Sequence, residues 1–163
     1  MRFFYTIIFY LLLPFILLRL WIKNRHNPAG LQFWYERLGI GLRLAPSGGI
    51  WLHAVSVGES LTAIPLIKAL QLRYPAIPIV VTNETINGAE RIRVGLGNSV
   101  TRLYFPYDLP LILKKFFNKL RPRLLILLET ELWPNLLATC HLYQVPVILI
   151  NGRLSERSAR AYR

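Results

Sequence analysis

His53-Ala54-Val55-Ser56-Val57-Gly58-Glu59-Ser60 joins two different hydrophobic periodicities. Upstream, Ile50, Trp51, Leu52 and Val55 read as a short buried strand. Downstream, Leu61, Ile64, Ile67 and Leu70 repeat every three residues along a helical face. A strand that passes directly into a helix is the building unit of a parallel α/β sheet. The turn Ser56-x-Gly58-Glu59 places small residues and one carboxylate at a helix N-terminus, where unpaired N–H groups and the helix dipole can hold an anion. Ser56 and Gly58 are therefore candidate substrate-binding positions, and Glu59 is the first candidate for a general base. A first-turn glutamate placed for the dipole alone has the same signature, and spacing by itself favours that plainer role.

The same alternation continues along the chain. Strand-like runs at Ile50–Val55, Ile77–Thr82, Val100–Tyr104, Leu124–Leu128 and Val145–Ile150 are separated by helix-like runs at Ser60–Leu72, Asn87–Gly95, Leu109–Leu120 and Trp133–Tyr143. The third helix is the clearest: Leu109, Ile112, Leu113, Phe116, Phe117 and Leu120 share one face, with Lys114, Lys115, Asn118 and Lys119 on the other. Asp108 suits its N-cap and Pro110 its first turn, and Arg121-Pro122-Arg123 stops it. Continuously apolar strands such as Leu124–Leu128 fit a sheet covered on both faces. The expected fold is a Rossmann-like α/β domain with a parallel sheet.

In such sheets ligands bind beyond the carboxyl ends of the strands. Those ends here carry Ser56–Glu59, then Thr82-Asn83-Glu84-Thr85-Ile86-Asn87-Gly88, Pro106-Tyr107-Asp108, the stretch from Glu129 to Asn135, and Asn151-Gly152-Arg153. Capping and turn formation explain any one of these loops. Five together mark a site, with Thr82, Thr85, Gly88 and Arg153 as candidate substrate contacts.

The N-terminus is of another character. From Phe3 to Ile22 the only charge is Arg19, and about 20 residues suffice, as a helix of roughly 30 Å, to cross a bilayer core. Residues 1–25 are expected to be a membrane anchor. The apolar run is too long for a signal peptide, and no Ala-x-Ala site lies after it. Arg19, Lys23, Arg25 and Arg37 after the run predict a cytoplasmic location for the rest of the chain. A helix lying in the membrane surface is the alternative, since Pro14 divides the run and Trp21 and Trp34 suit headgroup level. Residues 26–49 connect the anchor to the Rossmann-like domain at 50–163.

The 163 residues suit one domain, and the net charge of +12 calls for an anionic partner. An anionic membrane surface or a phosphorylated lipid fits the anchor; no nucleic-acid-binding signature is present. His26, His53, His141 and the single Cys140 show no metal-ligand spacing, so neither a metal nor a bound cofactor is expected, and Cys140 reads as packing. Walker, G-x-G-x-x-G and G-x-S-x-G motifs do not occur.

His53–Glu59 (HAVSVGE), Phe105–Pro110 (FPYDLP), Glu129–Asn135 (ETELWPN) and Asn151–Ser158 (NGRLSERS), in this order behind an anchor, resemble the 3-deoxy-D-manno-octulosonic acid (Kdo) transferases. Those enzymes add Kdo to the lipid A precursor in lipopolysaccharide assembly. Tyr35-Glu36-Arg37-Leu38-Gly39 is similar to the segment that joins the family's anchor to its catalytic part. The resemblance implies the N-terminal half of a GT-B glycosyltransferase at the inner membrane, its globular domain on the cytoplasmic face. This half binds the lipid acceptor, and a second Rossmann-like domain binds the donor CMP-Kdo. It further implies inverting, metal-independent transfer, with Glu59 as general base and Glu129 stabilising the transition state.

Two departures from the family pattern stand out. Asn83, Glu84, Ile86 and Asn87 replace a threonine-rich, proline-containing loop, and Glu84 adds negative charge where an anionic acceptor would approach. The sequence also stops at Arg163, so the donor domain is expected to be absent, making this chain a truncated form or one piece of a split enzyme whose C-terminal CMP-Kdo-binding domain is encoded separately. A non-catalytic lipid A-binding remnant, or another lipid-linked GT-B glycosyltransferase, are the alternatives.

Overall fold

A computed structural model describes residues 2–24, 28–42, 45–129 and 132–152. Two helices come first, α1 (Arg2–Asn24) and α2 (Pro28–Arg37), the latter within the segment expected only to connect. Strands and helices then alternate: β1 (Ile50–His53), α3 (Val57–Arg73), β2 (Ile79–Asn83), α4 (Ile86–Leu96), β3 (Thr101–Tyr104), α5 (Pro110–Leu120), β4 (Leu124–Leu128), α6 (Pro134–Leu142) and β5 (Val147–Ile150). All five expected strands and all four expected helices are present, with ends displaced by a few residues.

The sheet is wholly parallel, in the order β3-β2-β1-β4-β5. The order reverses between β1 and β4, whose register pairs His53 with Leu127. That reversal opens a crevice beyond the carboxyl ends of these two strands, where doubly wound sheets bind ligands. Apolar side chains fill both faces. Leu52, Ala63, Ile67, Val81, Ile92 and Leu128 form the core under α3 and α4. Trp51, Phe105, Leu113, Phe116, Leu125 and Leu136 form the one under α5 and α6, and α1 lies against this second core. Trp51 stacks on Phe116 at 5.9 Å between ring centres, and its indole N–H donates to Thr82 Oγ1 at 2.9 Å.

One expected cap is corrected. The N-cap of α5 is Leu109, without a side-chain hydrogen bond. Asp108 instead reaches across to α6, where its carboxylate accepts from the backbone N–H of Asn135 at 3.0 Å and of Leu136 at 2.7 Å. Pro134 at the first position of α6 supplies no N–H of its own, and Trp133 at the N-cap offers no side-chain acceptor, so the cap is donated from a distant loop.

Candidate functional site

Ser56 is the N-cap of α3, so the helix begins before the first apolar-periodic residue and takes Gly58 and Glu59 into its first turn. Ser56 Oγ accepts from Glu59 N at 3.2 Å, and the Glu59 carboxylate turns back to close a capping box. Its Oε1 accepts from Ser56 N at 3.2 Å and Ser56 Oγ at 2.8 Å, and Oε2 from Val55 N at 2.8 Å. Glu59 is only 5% exposed. The carboxylate is thus anchored at the start of the helix, with Oε2 carrying a single hydrogen bond and one lone pair to spare.

Glu129 stands at the other wall of the crevice, one residue beyond β4. Its φ is +57°, a left-handed conformation uncommon for a residue with a side chain, and its N–H donates to the Ile150 carbonyl at 2.9 Å. Asn151, at the same place after β5, adopts φ +54°. Asparagine enters this region readily, whereas glutamate does so at a cost of about 1 kcal/mol or more. The sheet order therefore brings Glu59 and Glu129 to the ends of two adjacent strands, at the switch point.

The loop after β2 is built differently from what its composition suggests. Thr82 is fully buried, and its hydroxyl is taken up by Trp51 and His53 rather than turned to the edge. Thr85 is the N-cap of α4 and accepts from Gly88 N at 3.0 Å. Gly88 is buried where the N-termini of α3 and α4 meet: a Cβ there would lie 2.9 Å from Thr85 Oγ1, 3.1 Å from Ser60 Oγ and 3.3 Å from the Ser56 carbonyl. Asn83, also buried, ties the two loops together by donating to the Ala54 carbonyl at 2.7 Å and to Ser60 Oγ at 2.9 Å. Arg153 lies outside the described residues, as does Glu131.

A residue assigned to the anchor's basic cluster joins this edge. Arg37, at the end of α2, places its guanidinium 4.4 Å from the centre of the Tyr107 ring and 3.4 Å from Glu84 Oε1. Its carbonyl accepts from Tyr107 N at 3.0 Å. Burial raises the Glu84 pKa, with Arg37 opposing and the charge of Glu59 adding to the rise. Glu36 beside it is buried and structural, accepting from Tyr104 N at 2.9 Å and Gln32 Nε2 at 2.8 Å. The pairing of Arg37 with Glu84 spans 47 residues and has no local sequence signal.

His53 ends β1 beneath the site. The ring is fully buried and stacked on Phe105 at 3.8 Å, with Nδ1 3.1 Å from the Thr82 carbonyl. Burial, aided by the charge of Arg37, lowers its pKa to about 3 against the hydrogen bond to Thr82. It is therefore a neutral core residue. Cys140 is likewise packing: it is buried, and its thiol is pushed up to about 12 by burial. Among the described residues no group of three or more His, Cys, Asp or Glu could hold a metal ion.

A doubly wound sheet with two glutamates at its switch point and an apolar helix attached is the class of molecule this geometry defines. Residues 32–163 match the model of the family described as 3-Deoxy-D-manno-octulosonic-acid transferase (kdotransferase), and the chain belongs to that family. It is 40% identical over 163 residues to the 3-deoxy-D-manno-octulosonic acid transferase of Haemophilus influenzae, covering 99% of this chain and 38% of the relative. It is 36% identical over 156 residues to that of Bordetella pertussis, covering 88% of this chain and 36% of the relative. The chain thus spans somewhat over a third of the length of these relatives.

Proposed function

We propose that this chain provides the acceptor-binding half of a glycosyltransferase that moves Kdo from CMP-Kdo to a lipid A precursor at the cytoplasmic face of the inner membrane. The observation that supports the reading is the position of Glu59 and Glu129 after the adjacent strands β1 and β4, on either side of the switch point of a family-matched sheet. An acceptor hydroxyl directed at the spare lone pair of Glu59 Oε2 would give up its proton as its oxygen bonds to the anomeric carbon of Kdo. The bond from that carbon to the CMP phosphate breaks in the same step, and CMP leaves with the electron pair. Glu129 would oppose the positive charge that develops on the sugar ring. The proposed inverting reaction needs no metal, and the donor is bound by a second Rossmann-like domain. Arg37, with Glu84 as its counter-ion, is the cation placed to meet an anionic group of the acceptor.

Transfer of Kdo from CMP-Kdo to lipid IVA by the purified chain, with and without a separately supplied C-terminal domain, tests the reading. Product that requires the added domain and disappears in Glu59→Ala supports it. Absence of product under both conditions from a folded chain overturns it in favour of a non-catalytic lipid-binding module, a role compatible with the capping duty of Glu59.

A further inference from the structure

The apolar N-terminal helix is packed lengthwise on the domain, and this decides how it can meet a membrane. Among the described side chains of α1, Tyr5, Thr6, Phe9, Leu13, Ile16 and Leu17 are half-buried and fall on one helical stripe. Phe9, Leu13, Ile16 and Leu17 pack on the core under α5 and α6, with the Phe9 ring 6.1 Å from that of Tyr107. The stripe ends in a polar latch. Asn135 Nδ2 donates to Thr6 Oγ1 at 3.0 Å and to the Asp108 carbonyl at 2.8 Å, and the Tyr5 hydroxyl donates to the Asp108 carboxylate. Asp108 of FPYDLP and Asn135 of ETELWPN thus hold α1 at the N-terminus of α6, which Asp108 also caps.

From Tyr5 to Leu17 the packed part is about 18 Å long, and the stretch after it to Asn24 about 10 Å; a bilayer core is roughly 30 Å thick. Neither the stretch beyond the packed part nor the whole helix can cross the bilayer while the domain holds it. The opposite stripe remains open and apolar: Phe3 is 70% exposed, Leu11 66% and Phe15 69%, with Phe4, Leu12 and Leu18 beside them. Basic residues flank it. Arg19 is exposed, and Arg2 lines, with Asn135, Thr139 and His141, a pocket of about 330 Å³ between α1 and α6. An apolar stripe bordered by cations on a chain of net charge +12 matches the surface of an anionic bilayer.

We infer that α1 is an in-plane membrane helix, docked on the domain by Tyr5 and Thr6 and buried on its open stripe in the headgroup–acyl boundary of an anionic membrane, and does not span it. The inference concerns attachment only and stands or falls separately from the transfer reaction. Because the latch is at the carboxyl edge of the sheet, it also brings the lipid surface beside the crevice.

Spin labels at single cysteines replacing Phe4, Leu11, Phe15 and Leu18, in a Cys140→Ser background, measure the depth of each position in phosphatidylethanolamine vesicles containing phosphatidylglycerol. The expected result is one shallow depth for all four, about 5–10 Å below the headgroups. A spanning helix would instead place Leu11 near the bilayer centre and Phe4 and Leu18 in opposite leaflets. In inverted membrane vesicles, an impermeant maleimide should reach Arg2→Cys and Leu72→Cys from the same side. Reaction from opposite sides overturns the inference. Labels that stay in water, or that are shielded only by a second copy of the chain, overturn it as well. Leu11→Glu with Phe15→Glu should weaken vesicle binding by about tenfold or more without unfolding the domain, because both side chains point away from it.

Discussion

At the scale of single residues, the capping duty of Glu59 can be separated from the proposed role as general base. The capping box is worth about 1 kcal/mol, so Ser56→Ala and Glu59→Ala should each lower stability by about that amount in urea unfolding. If Glu59 is the base, only its replacement should also remove transfer, by roughly 10²–10⁴-fold, while Ser56→Ala keeps most of it. Equal activity losses in the two variants would reduce Glu59 to its capping role. His53 makes a second prediction. Its pKa is about 3 in the folded chain, below the value near 6.5 of an unfolded one, so the unfolded state binds more protons between the two. Stability is fully present above pH 6.5 and falls by about 1.4 kcal/mol per unit as the pH drops toward 3. His53→Phe should flatten that part of the profile, since the Thr82 carbonyl keeps its bond from Ala54 N at 3.0 Å. A slope unchanged by the substitution would show that the ring is not the titrating group.

Elements are held in place by residues outside them. Asp108 supplies the cap that α6 lacks, so Asp108→Ala leaves two buried N–H groups unpaired and should cost about 2–4 kcal/mol, read from the urea midpoint. Asp108→Asn, which keeps one acceptor oxygen, should cost less. If both cost under about 0.5 kcal/mol, the Asp108 cap does not stabilise α6. Gly88 fixes how closely α3 and α4 approach, and Gly88→Ala should cost about 1–3 kcal/mol, because its Cβ would crowd Thr85, Ser60 and the Ser56 backbone. Existence and order of these elements were legible from hydrophobic period. The caps Ser56 and Thr85 make bonds within three residues, a local signal that the hydrophobic period, which starts these helices at Ser60 and Asn87, does not carry. Asp108 was assigned to the wrong helix because its carboxylate meets N–H groups 27 and 28 residues away.

For the whole molecule, the sheet is unevenly covered. On β5, Ile148 is 47% exposed and Leu149 42%, and a groove of about 450 Å³ opens between this edge and α3, lined by Leu66, Leu70, Ile148 and Ile150. Among the described residues β5 is an apolar edge strand, a feature that favours association, so Ile148→Lys should shift the sedimentation profile of the purified chain toward monomer. An unchanged profile would show that the edge is already protected. Alternating apolar runs determined the parallel α/β class, because a strand buried on both faces has no room for polar residues. The N-terminal helix was legible as a long apolar stretch for the same reason. Which loops face one another depends on strand order, and strand order is set by packing between segments far apart in the chain. Only the tertiary structure therefore decided that Glu59 and Glu129 share the switch point, that Thr82 turns inward and that Arg37 meets Glu84. It also decided that the apolar helix lies along the domain, since a membrane-spanning and a domain-packed helix bury the same kind of side chain.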